Sequence, residues 1–208
     1  MVGDRRIKMC CRYYYEDEIR ERMQDLLDSQ SIMADAGLKA EPGRDVRPSD
    51  ASAVIYQNGK DLTAGGMRWG FSNPYGKGLI INARAETAAE KNLFADSMAK
   101  RRCIIPASGF YEWDPYKARF RFTRPDGGLI LMAGFWHEEQ GTPRYTILTT
   151  EANESMKPVH DRMHVMIGRD EIGPWITEDG RISEFLERPQ PRLVREQDSG
   201  QIRMDFGI

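Results

Sequence analysis

The residues most suited to chemistry stand near the start of the chain, in Met9-Cys10-Cys11-Arg12. Initiation at Met9 followed by removal of that methionine would expose Cys10 with a free α-amine. Its amine then has a reference pKa of about 7.7–8.0 and its thiol about 8.5, so both are partly deprotonated near neutrality. Such an aminothiol captures aldehydes: the amine forms a Schiff base, and the thiolate closes it to a five-membered thiazolidine. Residues Met1 to Lys8 precede Met9 and would acylate that amine, so they are expected to be a mis-assigned start or a removed segment. The first residue of the working chain, not its bulk, is where reactivity is expected.

Four further segments interrupt apolar patterns with polar groups. Ile81-Asn82-Ala83-Arg84-Ala85-Glu86-Thr87 lies at a strand-to-helix junction, where side chains often face a cleft. Gly109-Phe110-Tyr111-Glu112-Trp113 sets a carboxylate between aromatics, which favours a raised pKa and proton transfer. Thr149-Thr150 ends a strand, and Val159-His160-Asp161-Arg162-Met163 enters one. Each also has a purely structural reading. Glu112 would alternate outward on a half-exposed strand, His160 would be a satisfied surface imidazole, Asn82 a turn residue and Arg84 a solvated charge. Trp69 and Trp113 would be core residues instead of stacking platforms, as would Cys103; His137 and His164 read as structural.

Positioning these groups requires a scaffold, and the elements are legible. Residues 16–36 carry Ile19, Met23, Leu26 and Leu27 at helical spacing, with acidic residues at the start and Gly37 at the end. Residues 53–56 and 62–69 flank Asn58-Gly59, a hairpin signature. Residues 79–83 form a short strand, and Thr87-Ala88-Ala89-Glu90 is a capping box opening a helix to Lys100. Residues 103–113 read as one buried strand. Residues 120–123 and 129–136 flank Pro125-Asp126-Gly127-Gly128 as a second hairpin. Strands follow at 145–149 and 163–167, helical pieces at 171–176 and 182–187, and an edge strand at 202–206. The expected fold is α+β, a mainly antiparallel, barrel-like sheet with flanking helices, in a single domain from residue 9 to 208.

Composition narrows the function classes. The chain has 208 residues, 40% hydrophobic and 30% charged, with net charge −2; from Met9 onward 27 basic residues face 31 acidic ones. Bulk charge therefore gives no support to non-specific nucleic-acid binding, and any such binding needs a local arginine cluster. There is no 20-residue apolar run and no secretory signal pattern, so a cytoplasmic protein without membrane contact is expected. Three cysteines and three histidines make no metal-ligand spacing, and no glycine loop would cradle a phosphate. No cofactor is expected.

Met-Cys-Cys-Arg, Ile-Asn-Ala-Arg-Ala-Glu-Thr, Gly-Phe-Tyr-Glu-Trp and His-Asp-Arg-Met, in that order, resemble the SRAP family, the SOS-response-associated peptidases also called abasic-site processing proteins. The resemblance runs from Met9 to about Trp175. It implies a protein of the DNA damage response whose N-terminal cysteine bonds through a thiazolidine to an abasic site in single-stranded DNA. By resemblance Cys10 is that nucleophile, Asn82 lines the pocket, and Glu112 and His160 move protons. Arg12, Arg84 and Arg162 match phosphate-holding positions, with Trp69, Trp113 and Thr149 beside them. It also implies an associated lyase or peptidase activity, and a monomer. Residue 11 is Cys where the family usually has Gly. The competing readings are a cysteine peptidase built on Cys10 or Cys11 with His160 and Glu112, and a non-catalytic single-strand binder.

Overall fold

Residues 11–198 are described by the computed structural model. Its first strand, β1 (Tyr13–Tyr14), precedes helix α1 (Ile19–Ser29), which buries the expected stripe of Ile19, Met23, Leu26 and Leu27. The helix is shorter than its 16–36 pattern. Ser31 takes a left-handed φ of 52° and the chain straightens into β2 (Met33–Ala34). After β3 (Asp45–Val46), strands β4 (Ala51–Asn58) and β5 (Asp61–Trp69) form the expected hairpin, with Asn58 opposite Asp61. Gly59, at φ 65°, supplies the left-handed turn residue that such a two-residue loop needs. The short pair β6 (Phe71–Ser72) and β7 (Leu79–Ile80) leads into β8 (Asn82–Arg84).

Helix α2 (Ala85–Ala88) starts directly after Arg84, and α3 (Ala95–Lys100) starts again after a turn. The single helix expected from Thr87 to Lys100 is thus split, because Thr87 lies inside α2 and does not cap it. The expected strand 103–113 is also two strands, β9 (Arg102–Ala107) and β10 (Gly109–Trp113), which belong to different sheets. Gly109 sits at the crossover, where a β-carbon would collide with the Tyr14 ring and the Phe122 carbonyl. Next come β11 (Arg119–Thr123), β12 (Ile130–Glu139), β13 (Thr142–Glu151) and β14 (Arg162–His164). Helices α4 (Ile172–Thr177) and α5 (Ile182–Glu187) and strand β15 (Val194–Gln197) complete the described chain. The edge strand expected at 202–206 lies outside the described residues; β15 takes the edge beside β11.

The strands make two main layers. One is a five-stranded sheet in the order β15-β11-β10-β1-β3. The other runs β14-β13-β12-β9-β4-β5-β2, and β13 also pairs with β5, so β13, β12, β9, β4 and β5 close into a barrel. The closing contact is parallel, Arg144 beside Arg68 and Tyr145 beside Trp69, and β8 runs parallel to β13 as well. The barrel is therefore mixed, though most of its ladders are antiparallel as expected. The second hairpin expected around Pro125–Gly128 does not form: β11 pairs with β10 and β15, while β12 pairs with β9 and β13. That turn reverses the chain while passing it from one sheet to the other. A continuous buried core joins both layers, from Tyr13 and Phe110 on one side to Trp69, Tyr145 and Ile147 on the other.

Candidate functional site

The two layers meet along one face of β13. Side chains alternate along a strand, so Tyr145, Ile147 and Thr149 share that face, and each is fully or almost fully buried. Across from them, the Tyr13 hydroxyl lies 2.6 Å from that of Tyr145 and 2.5 Å from the Ser52 hydroxyl, which is 2.8 Å from Tyr145. This buried ring of hydroxyls satisfies its own donors and acceptors, and burial pushes both tyrosine pKa values well up. It pins β1 to the barrel three residues after Cys10.

β1 runs antiparallel to β10, with Tyr13 opposite Phe110 and Tyr14 opposite Gly109. One residue earlier the Tyr111 N–H donates to the Arg12 carbonyl at 3.0 Å. The chain leaving Cys11 therefore lies beside the strand that carries Glu112. Cys10 itself lies outside the described residues. Cys11 is a free, half-buried thiol packed against the core. Glu112 is fully buried, which overturns the outward-facing reading of this position; its Oε1 accepts the Trp113 N–H at 3.3 Å. Trp113 is half-buried beneath the Arg12 guanidinium, 5.7 Å from its ring centre, and Arg12 also pairs with Asp45 at 3.3 Å.

The barrel side brings the remaining candidates together. β8 lies along β13 with Asn82 opposite Ile147 and Arg84 opposite Thr149; β14 lies on the other side of β13 with His164 opposite Thr149. Thr149 Oγ1 donates to the Ala83 carbonyl at 3.3 Å. Arg84 is exposed and has no ion-pair partner among the described residues. Arg162 is different: its guanidinium meets both Glu86 oxygens at 2.7 Å and the Thr149 carbonyl at 2.6 Å. The Arg162 hydrogen bonds hold the Glu86 carboxyl below its usual range. His160 precedes β14, its Nδ1 3.0 Å from the Arg162 N–H and 2.9 Å from Asp161 Oδ1. Nδ1 accepts the Arg162 backbone proton there.

Two positions differ from expectation. Trp69 is fully buried, stacks on Tyr145 and donates its indole N–H to the Ile81 carbonyl at 2.9 Å, so it has no face left for a nucleobase. The core reading of Trp69 is the correct one. Thr149 is likewise 1% exposed, acting through its backbone carbonyl toward Arg162 and not through a free hydroxyl. Sequence reasoning also missed Glu86 as the partner of Arg162, although it stands in the same motif as Asn82 and Arg84. It read His164 as structural, and His164 is indeed buried, edge-on to the Phe110 ring at 4.6 Å. This ring contact joins the barrel side of the site to the strand of Glu112. The exposed aromatic in the loop between β6 and β7 is Tyr75, eight residues before Arg84's neighbour Ala83.

Glu112 on β10 beside the entry of β1, and Asn82, Arg84 and Arg162 on the strands flanking β13, are thus linked through the Phe110–His164 ring contact. The family model for the SOS response associated peptidases (SRAP) matches residues 9–201, and the chain belongs to that family. The abasic site processing protein YoaM of Bacillus subtilis is 37% identical over 161 residues, covering 71% of each chain. Escherichia coli YedK, another abasic site processing protein, is 28% identical over 179 residues, covering 81% of this chain and 80% of its own. A crystal structure of a Bordetella bronchiseptica protein superposes with a TM-score of 0.73 at 28% identity, covering 91% of this chain and 99% of that one. No helix among the described residues is long and apolar enough to cross a membrane.

Proposed function

We propose that this protein processes abasic sites in single-stranded DNA, and that it does so by covalent capture through Cys10 once Cys10 is the first residue. The observation that carries the reading is the ladder between β1 and β10, which brings Arg12, two residues after Cys10, beside the strand of Glu112. The family membership and the names of the relatives support the same reading.

A ring-opened abasic sugar presents an aldehyde. The Cys10 amine adds to it, giving a carbinolamine that loses water to a Schiff base. The thiolate then attacks the imine carbon, and a proton goes to the nitrogen as the thiazolidine closes. One water is released overall. Glu112, excluded from solvent, is the acid and base for proton movement in the carbinolamine step. Asn82 orients the sugar by hydrogen bonds, and His160 serves a proton at the sugar oxygen or the 3′ phosphate, the step a lyase activity requires. Arg84 and Arg12 take phosphates without reading sequence. Tyr75, in place of the buried Trp69, offers a ring for stacking on the strand. A lesion that lacks its base costs little to unstack, which favours it over intact DNA.

The test is intact mass after mixing protein begun at Met9 with a single-stranded abasic oligonucleotide. The expected product is protein lacking Met9 plus oligonucleotide, less one water. Cys10→Ser gives no such heat-stable adduct, and the chain begun at Met1 gives far less, because its Cys10 nitrogen is an amide. Equal adduct from the Met1 form, with residues 1–8 confirmed present, refutes the aminothiol mechanism.

A further inference from the structure

Among the described residues Tyr116 is the most exposed large apolar side chain, at 91%, and it stands at the tip of the β10–β11 hairpin. The tip is built to hold it there. One Asp114 side-chain oxygen accepts the N–H groups of Tyr116 at 2.9 Å and Ala118 at 2.8 Å, and the Asp114 carbonyl accepts the Lys117 N–H at 2.9 Å. Lys117 sits at φ 68°, a left-handed conformation that is uncommon for a residue with a long side chain. Pro115 fixes the preceding φ. A tyrosine held outward by a pre-formed turn gives up little entropy on contact, since two torsions place its whole ring.

The hairpin's other residues say what the ring is for. Along β10 the chain passes from Glu112, fully buried, through Trp113 beneath Arg12, and out to Tyr116. On the neighbouring strand, Arg119 and Arg121 are spent on Asp198 and Glu196. Lys117 is exposed and has no ion-pair partner among the described residues. At a strand rise of about 3.3 Å per residue, Tyr116 is at most about 13 Å from Glu112. That bound spans about four nucleotides at the axial rise of about 3.4 Å per nucleotide of a stacked strand, so bases flanking a lesion held at Glu112 fall within reach of the ring.

We infer that Tyr116 is a stacking post for a nucleobase flanking the lesion on one side, with Lys117 serving the phosphates between. This rests on the proposed reaction and assigns that site a second contact on the DNA. Every nucleobase has a face to stack, so the contact is indifferent to sequence and sensitive to which side of the lesion carries DNA.

The experiment follows adduct formation against oligonucleotide concentration with three strands: lesion in the centre, at the 5′ end and at the 3′ end. With the central lesion, Tyr116→Ala is expected to raise the half-saturating concentration about five- to tenfold, the lower part of the range for a stacked base. The maximal rate stays within about twofold, and Tyr116→Phe stays near the unsubstituted protein. The Tyr116→Ala defect persists with one end-placed lesion and vanishes with the other. No defect on any strand overturns the inference, and so does an equal defect on all three, which means a role at the lesion or in the fold. If the unsubstituted protein forms no adduct at all, the proposed reaction fails instead. Tyr116 is then judged by equilibrium binding to undamaged single strands, where the same five- to tenfold loss is expected and its absence overturns the post.

Discussion

His164 should make this protein acid-sensitive in a way one substitution removes. The ring is 2% exposed, and neither nitrogen has a hydrogen-bond partner among the described residues. Burial pushes its pKa down from 6.5 to about 3. The unfolded chain therefore holds one more proton than the folded one between those two values. Stability from this residue is full above about pH 6.5 and falls as pH drops toward 3, by about 1.4 kcal/mol per pH unit. At pH 5 the loss is about 2 kcal/mol, and at pH 7.5 it is negligible. His164→Leu keeps a side chain of similar bulk against Phe110 and cannot take a proton. At neutral pH it also removes two unpaired nitrogens, a gain of about 1–3 kcal/mol set against a repacking cost that is usually below about 1.5. The informative quantity is the change in that difference with pH, because every other titrating group cancels between the two proteins. Urea unfolding of both at pH 7.5 and pH 5.0 should show the variant gaining about 2 kcal/mol relative to the parent at the lower pH. An advantage independent of pH would mean that the ring is protonated or hydrogen-bonded in the folded state, and the reasoning would be wrong.

Glu86→Gln should lower stability by about 1 kcal/mol at neutral pH, since the pair with Arg162 is bidentate but half-exposed and screened. The cost should shrink as pH falls through the carboxyl's depressed pKa, where the parent loses the same charge. The freed Arg162 should also steepen the salt dependence of single-strand binding by up to about one unit of slope; an unchanged slope would keep Arg162 off the DNA path. Arg84→Ala should flatten that slope by about one unit and weaken binding evenly across sequences, read by a salt titration on several unrelated oligonucleotides. Glu112→Gln should slow adduct formation by about 10²–10⁴-fold and slow its reversal alike, since one catalyst serves both directions of a step. Capture at the parent rate in a cross-linking time course would leave Glu112 a structural residue only.

Local patterns were legible wherever a few neighbouring residues decide the outcome. The stripe of Ile19, Met23, Leu26 and Leu27 and the Asn58-Gly59 turn both predict what forms, because helix period and turn chirality are short-range properties. Partner choice is not short-range. The Pro125–Gly128 turn announces a reversal, but nothing nearby says that β11 must stay with β10 while β12 joins β9. The break at Ser108 hides in an apolar run for the same reason: Gly109 is demanded by Tyr14 and Phe122, which are far away in sequence. At the site, the motif order pointed to Asn82, Arg84, Glu112 and Arg162, and the structure sets these on strands flanking one interface. It could not say that Glu86 occupies Arg162, or that Trp69 is walled in by Tyr13 and Tyr145. Those facts depend on closure of the barrel through β5 and β13, whose paired residues Arg68 and Arg144 stand far apart in a way that no local period encodes.

The anchoring of β1 has a mechanical side. A DNA strand bonded to the start of the chain would be a rope tied to the end of a strand, and a polymerase or helicase working on that strand would pull on it. Load along the axis of β1 meets its ladders to β3 and β10 in shear, so their hydrogen bonds share the force and do not open one at a time. Behind them the Tyr13 side chain acts as a toggle, set crosswise into the barrel and held by Ser52 and Tyr145. To slip, the strand would have to draw a tyrosine ring out of a fully packed interior. Survival of the bonded protein under traction is then governed by the rate at which Tyr13 leaves its seat rather than by the equilibrium stability of the whole fold.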